Sequence, residues 1–354
     1  MRKYWYRRFL LVLLVLSVLG YAGYEITKRQ EQGRKKEVSA DTVSSDTVIP
    51  GGMPVGIYLE TEGVMVLGTE KITGADGKIT EPARHLVKAG DYIVECNGKK
   101  IADKKRLQDT LKKLDAEEVV LKLRRDSGYL DVKIKPVRNK KNQYMLGIWV
   151  RDNAQGLGTV TFLNTDSRFG ALGHGIHDTD TNTLMEIKDG RVYETSIRSI
   201  QKGAGGEPGG IEGIIVYNRY NVLGTIDKNT DCGIFGTLER TDNLFRNTEP
   251  VGIMATDEIK KGDAVIRCCV EGKVKEYKIR ITKTDKHTKE ENKGLEIKVT
   301  DPELLEITGR IIQGMSGAPI LQNGKIAGAV THVFVNDPAR GYGIFIENML
   351  KHVE

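Results

Sequence analysis

"GRIIQGMSGAPILQNGKIAGAVTHVF", Gly309 to Phe334, decides how the second half of this 354-residue chain is read. One serine, Ser316, stands before Gly317 with Gly314 two positions upstream, and two apolar, β-like runs follow. Two readings compete. Ser316 is either a small residue in a tight glycine turn or a nucleophile, whose small neighbours expose Oγ and let backbone N–H groups face a developing oxyanion. A nucleophile needs a base. His174 supplies one in "FGALGHGIHD", Phe169 to Asp178, where flanking glycines permit close approach of a second segment. Imidazole is the usual general base because it titrates near neutrality.

The surroundings of both residues are β-rich. "LGIWVRDNAQGLGTVTFLN", "NVLGTIDKNTDCGIFGTL" and "DAVIRCCVEGKVKEYKIRIT" are short strand-like runs broken by glycine turns, without helices between them. They predict an all-β sandwich or barrel over 145–354. The chain's 40 glycines and 9 prolines point the same way. "GAGGEPGGIEG", residues 203–213, reads as a surface loop. His85, His287 and His352 lie in charged or terminal stretches and read as solvated. His332, sixteen positions after Ser316, lies on a strand and either faces the pocket or is structural.

Phe9 to Tyr24 is an uncharged Leu/Val-rich run flanked by Arg7, Arg8 and interfacial aromatics. It is shorter than the roughly 20 residues of a full span, so a cleaved signal peptide competes with an anchor. No clear cleavage site follows, and residues 1–24 are expected to be an uncleaved transmembrane helix with the N-terminus inside and the body exported. Residues 25–49 are polar and read as a flexible tether. The net charge of +6 is modest and the basic residues are dispersed, which excludes nucleic acid as a partner; a membrane explains the basic N-terminus. Four cysteines, with no C-x-x-C pair, suit buried small side chains rather than a disulfide framework or zinc site.

Between residues 50 and 137 the pattern mixes β and one helix. "VGIYLETEGVMVLG" reads as two strands about Glu62-Gly63. Tyr92–Cys96 leads into an Asn97-Gly98 turn. Leu107, Leu111 and Leu114 share a helix face, and two alternating strands surround Ser127-Gly128. This order resembles a PDZ domain. The resemblance implies capture of an extended peptide at a sheet edge, with its carboxylate at the "MPVGIYL" loop, on Val55, Gly56 and Ile57.

"G-x-S-G-x-P" resembles the nucleophile turn of chymotrypsin-type serine peptidases, which implies oxyanion donors at the N–H groups of Gly314 and Ser316. Together with "LGIWVRD", "FGALGHGI", "TDPELLEITGRIIQGMSGAPILQNGKIAGAVTHVFVNDPARGYGIFIENML" and the PDZ-like stretch after a membrane segment, the whole chain resembles the SpoIVB-type serine peptidase family of endospore-forming bacteria. The resemblance implies a mainly β protein: a chymotrypsin-like double β-barrel peptidase domain, preceded by a PDZ domain and a transmembrane helix. It implies Ser316 as nucleophile, His174 as base, and no cofactor. It also implies a protein substrate, the membrane regulator restraining an intramembrane metalloprotease, whose release activates a late mother-cell sigma factor. Self-cleavage follows too, expected in the tether between Glu25 and Pro50, as does a site at the forespore membrane with the body facing the intermembrane space.

The acid implied by the family motif is Asp301 of "TDP". The order His174, Asp301, Ser316 suits a triad, yet Asp301 stands only fifteen residues before Ser316. Asp178, Asp227 and Asp231 remain alternatives. His177 departs from the family, where a small polar residue is more usual, and it sustains a rival. His174, His177 and Asp178 are metal-ligand types, as in a metal-dependent hydrolase. Gly173 and Gly175 weaken the helix that would align the two imidazoles, and a strand would turn them to opposite faces. A third reading is a non-catalytic PDZ scaffold at the membrane.

Overall fold

The computed structural model describes residues 46–114, 118–203, 209–241, 244–246, 248–334, 337 and 339–353. The expected anchor at 1–24 and nearly all of the tether lie outside them. The tether's last residues do not: Thr47–Pro50 is a strand. Among the described residues no helix is long and apolar enough to cross a membrane.

One antiparallel ribbon organises the molecule. Strand Pro54–Thr69 pairs with strand Ile148–Leu163 from Pro54↔Thr159 to Thr69↔Ile148. Midway, Thr61 to Val64 stand opposite Asp152 alone, a bulge marked by Gly63 at φ +81. A bulge bends a strand and strengthens its twist, so one ribbon serves two cores. Below it, Val55, Ile57, Leu59 and Val160 pack with Phe169, Val192 and Ile234. Above it, Val64 and Val66 pack with Ile93, Leu107, Leu121 and Val132. The two strands expected about Glu62-Gly63 are thus one strand bulged at that point.

This corrects the expected domain boundaries. Residues 50–61 belong to the lower β body, not to the domain expected at 50–137. The upper domain is an insertion that ends on the first residues of Ile148–Leu163. Val55, Gly56 and Ile57 form no loop: Gly56 pairs with Leu157 on one edge and Tyr193 on the other, so these N–H groups sit inside a ladder and a peptide carboxylate has no access to them. The rest of the upper domain follows its local signals. Asn97 (φ 49) and Gly98 (φ 71) make the expected turn. Asp103 caps helix Lys104–Lys112, whose Leu107 is buried.

Below the bulge, Ile148–Leu163, Arg168–Ala171, Gly233–Leu238, Val222–Thr230, Ile187–Tyr193 and Pro54–Thr69 pair in that order, and the last returns to the first. The ring is a closed six-stranded antiparallel barrel. Gly262–Cys269, Val274–Thr284, Leu295–Val299, Arg340–Phe345, Lys325–Val333 and Pro319–Gln322 close a second. Its core follows strict alternation: Tyr277, Ile279 and Ile281 point inward, Glu276, Lys278 and Arg280 outward. Each such buried side chain contributes about 1.5–3 kcal/mol. The stretch expected as a loop at 203–213 contributes instead to a hairpin, Thr195–Gln201 with Gly210–Ile215. All four cysteines are buried and free.

Candidate active site

The serine turn sits where the barrels meet, and strands of both hold it. Thr159 and Thr161 alternate with Val160, which the first-barrel core takes, and Phe162, which packs with Phe235, Ile326 and Ile344 from the two barrels. The threonine hydroxyls donate across to Gly314 O (2.7 Å) and Gly317 O (2.8 Å), and Thr159 N–H to Ser316 O (3.0 Å). From the second barrel, Val330 O accepts Gly317 N–H at 2.8 Å. Gly317 has φ +92, and a Cβ there would lie 2.1 Å from Thr159 O, so only glycine fits. The N–H groups of Gly314 and Ser316 have no hydrogen-bond partner among the described residues. Two backbone donors left unused by the chain, one on either side of Met315, suit an oxyanion site.

His174 follows a tight corner. Leu172 at φ 70 and the bond from Gly173 N–H to Ala171 O (2.9 Å) form a γ-turn of the rare positive-φ kind. Leu172 also abuts Gly317, and Gly173 abuts Thr331, so the corner lies against the serine turn. His174 Nδ1 is 2.9 Å from Gly175 O. A carbonyl only accepts, so Nδ1 carries the proton and Nε2 is left with a lone pair. Burial holds the His174 imidazole below its ordinary value, opposed by the Gly175 bond and assisted by the nearby charge of His177.

Ser316 Oγ donates to Thr331 O at 2.9 Å. The strand Lys325–Val333 gains one residue against its partner between Val330↔Gly343 and Val333↔Gly341. That bulge, at Thr331–His332, brings the His332 ring to 4.9 Å from the His174 ring. The pKa of His332 is also lowered, by packing and by the neighbouring His174 and Lys293.

None of the four candidate carboxylates contacts His174 among the described residues. Asp301 is an N-cap: its carboxylate accepts Glu303 N–H (3.0 Å) and Leu304 N–H (3.2 Å) of helix Pro302–Thr308, and Lys278 N–H (3.0 Å). The expectation that it orients the base is therefore corrected: three backbone donors occupy it. The signal was present in "DPELLEI", where Asp before Pro and Glu opens a helix. Asp178 is buried, bound to Arg151 and to the Thr181 and Asp180 N–H groups. Asp227 pairs with Arg168 at 2.6 Å. Asp231 lies 3.6 Å from Nε2 of His177, not from His174. Among the described residues no cluster of three His, Cys, Asp or Glu side chains is arranged to hold a metal ion.

A second site lies in the upper domain. A groove of about 820 Å³ runs between helix Lys104–Lys112 and the segment Tyr144–Val150, lined by Leu107, Leu111, Leu146, Ile148 and Val150. Ile148–Val150 pairs with Val66–Thr69 on one edge and has no ladder partner on the other among the described residues. Gly147 precedes it at φ +65. Sequence reasoning missed this site although "MLGI" repeats the apolar-Gly-apolar pattern chosen at "PVGI". The β-rich texture from Met145 onward reads as the next domain and hides it.

A family model described as SpoIVB peptidase S55 matches residues 142–350. No curated protein matches the chain. Solved structures with similarity include the Rv3671c protease from M. tuberculosis in its active form (15% identity, 56% of this chain, 74% of that chain, TM-score 0.34). Its inactive form gives 15% identity, 56% and 84% coverage, and TM-score 0.30. The PDZ domain of the SdrC-like protein from Listeria monocytogenes gives 21% identity, 25% and 87% coverage, and TM-score 0.21.

Proposed function

Because the chain belongs to the SpoIVB peptidase S55 family and is a serine peptidase, we propose that Ser316 is its nucleophile, His174 its base, and the Gly314 and Ser316 N–H groups its oxyanion donors. The observation that supports this most is the turn itself: a half-buried serine beside two unused N–H groups, pressed against the corner that carries His174. Catalysis then requires the Ser316 hydroxyl to leave Thr331 O for His174 Nε2 by rotation about Cα–Cβ, and such catalytic bonds commonly tighten only around substrate. Oγ then bonds to the scissile carbonyl carbon and its proton passes to Nε2. The oxyanion is held by the two N–H groups. Nε2–H protonates the leaving amine as the C–N bond breaks. Water, deprotonated by Nε2, releases the acyl group, and Ser316 regains its proton. The Gly175 carbonyl holds Nδ1–H throughout, the orienting role assigned to aspartate elsewhere.

The family and the N-terminal sequence support a finer reading: a membrane-anchored enzyme with an exported body, acting on itself and on the membrane regulator of an intramembrane metalloprotease in sporulation signalling. The upper domain serves as its PDZ module, with the peptide laid on the free edge of Ile148–Val150 and its carboxylate near Gly147. A fluorophosphonate probe followed by intact mass and peptide mapping tests the core of the proposal. Label on Ser316 supports it; a chain that stays unlabelled while folded refutes it.

Asp301→Asn separates a cap from an acid. Asn caps as well as Asp, so kcat per folded molecule is expected within about fivefold of wild type, against the roughly 10⁴-fold loss of an orienting aspartate. The pH profile follows from His174. Neutral imidazole is the active form and its protonation is disfavoured, so the acid limb of kcat/KM, which reports the free-enzyme base, is expected below pH 6.5. His177→Ala removes a like charge and is expected to move that limb upward; an unchanged midpoint would remove His177 from the electrostatics of the site.

A further inference from the structure

The paired strands Thr195–Gln201 and Gly210–Ile215 grow from first-barrel strands, yet this hairpin docks on the second barrel beside Ser316. Ile197 and Ile200 pack against the second core, and Ile211 is part of it. The contact includes backbone. Gln313 N–H donates to Gly209 O, and Ile211 N–H donates to Gln313 O, both at 2.9 Å. Gly210 and Gln313 form a parallel bridge. The Ile211 side chain packs on Gly314, its Cβ 3.0 Å from where a Cβ on Gly314 would be.

These bonds act on one peptide unit. The unit joining Gln313 C=O to Gly314 N–H is planar, and in the trans form the two groups point in opposite directions. With Gln313 O held by Ile211 N–H, Gly314 N–H is turned away from the hairpin. The next unit is held as well, since Gly314 O accepts the Thr159 hydroxyl at 2.7 Å. Both anchors on Gly314 come from the first-barrel half of the chain. Gly314 at φ +96 has the freedom to flip if either is lost.

We infer that the hairpin is a clamp that sets the oxyanion donor, with Ile211 as a positioning residue acting through its backbone N–H. The inference rests on the reading of Ser316 and Gly314 given above. It makes hairpin docking, rather than the serine turn alone, the condition for activity.

Ile211→Pro tests it. Ile211 directs its N–H at Gln313 and not at its hairpin neighbour Ile200, so proline deletes this donor while sparing the ladder. Ile211→Ala keeps the donor and removes the packing. The full chain in detergent is assayed on a 4-nitrophenyl ester of an acylated amino acid, and for affinity toward a peptide boronic acid that mimics the tetrahedral adduct. Proline is expected to lower kcat by about 10²–10³-fold, the cost of one oxyanion donor, with KM nearly unchanged and boronate affinity falling in proportion; alanine is expected to lose far less. Equal losses in both variants, or wild-type kcat in folded Ile211→Pro, overturn the clamp. Should the proline variant fail to fold, the double variant Ile197→Ala/Ile200→Ala decides: it loosens docking and is expected to lower kcat and boronate affinity together, and wild-type values overturn the inference. Fluorophosphonate labelling of the wild type separates the two levels. No label on Ser316 sinks the site reading itself; label with unaffected hairpin variants sinks only the clamp.

Discussion

Ser316→Ala is expected to lower kcat for peptide cleavage by about 10⁴- to 10⁶-fold while the protein stays folded, the range seen when a triad nucleophile is removed. The size follows from the chemistry. Without Oγ no acyl-enzyme forms, and what remains is oxyanion stabilisation and binding. The fold is spared because Ser316 is half-buried and its side chain makes one hydrogen bond, to Thr331 O, worth about 0.5–1.5 kcal/mol. The backbone bonds of the turn, from Thr159 N–H and Gly317 N–H, do not involve the hydroxyl. The measurement is intact mass of the full chain over time, together with turnover of a chromogenic ester. His174→Ala should fall equally far, since base and nucleophile act as a unit. A Ser316→Ala protein that still shortens or hydrolyses ester at the wild-type rate would mean that another residue attacks.

Gly317→Ala is expected to destabilise the protein by about 2–5 kcal/mol and to remove reactivity toward fluorophosphonates in the surviving folded fraction. Two costs add. A non-glycine residue at positive φ costs about 1–2 kcal/mol, and forcing an atom into packed space costs about 1–3 kcal/mol or more. The second cost falls on backbone, because the new Cβ would lie 2.1 Å from Thr159 O and 2.5 Å from Leu172 N. Neither atom moves without moving the first-barrel strand or the corner that carries His174. Gly324 is the control: it has φ +76 but nothing within 4 Å of its Cβ position. Gly324→Ala should cost only the conformational part. Thermal unfolding of the two variants measures the difference; equal costs would mean that the turn is not wedged between the barrels.

Much of the local structure follows from neighbouring residues alone. Asn97-Gly98 makes its turn because few other pairs tolerate two positive φ angles. Leu107 packs inward because its spacing sets a helix face, and Tyr277, Ile279 and Ile281 face a core because strands alternate. The serine turn was legible for the same reason, since Gly314, Ser316 and Gly317 carry their conformational requirements within four positions. What misled was partnership across distance. Alternation along Pro54–Thr69 says which side chains are buried but not in which core, so from sequence its first half reads as part of the inserted domain and residues 55–57 as a loop.

Asp301 is the sharpest case. Its local signal, Asp before Pro and Glu, is that of a helix cap, and the cap is what forms; the triad role rests on the family motif and on order along the chain, neither of which carries information about distance. Conversely, nothing near Gln313 announces that Ile211, about a hundred residues earlier, will hold its carbonyl. Backbone bonds between barrels leave no trace in residue type, because every residue but proline offers the same donor and acceptor. Side-chain chemistry and turn conformation are therefore readable from the chain itself, whereas the pairing that aims an imidazole or an amide at a reacting atom exists only once the barrels have closed and packed.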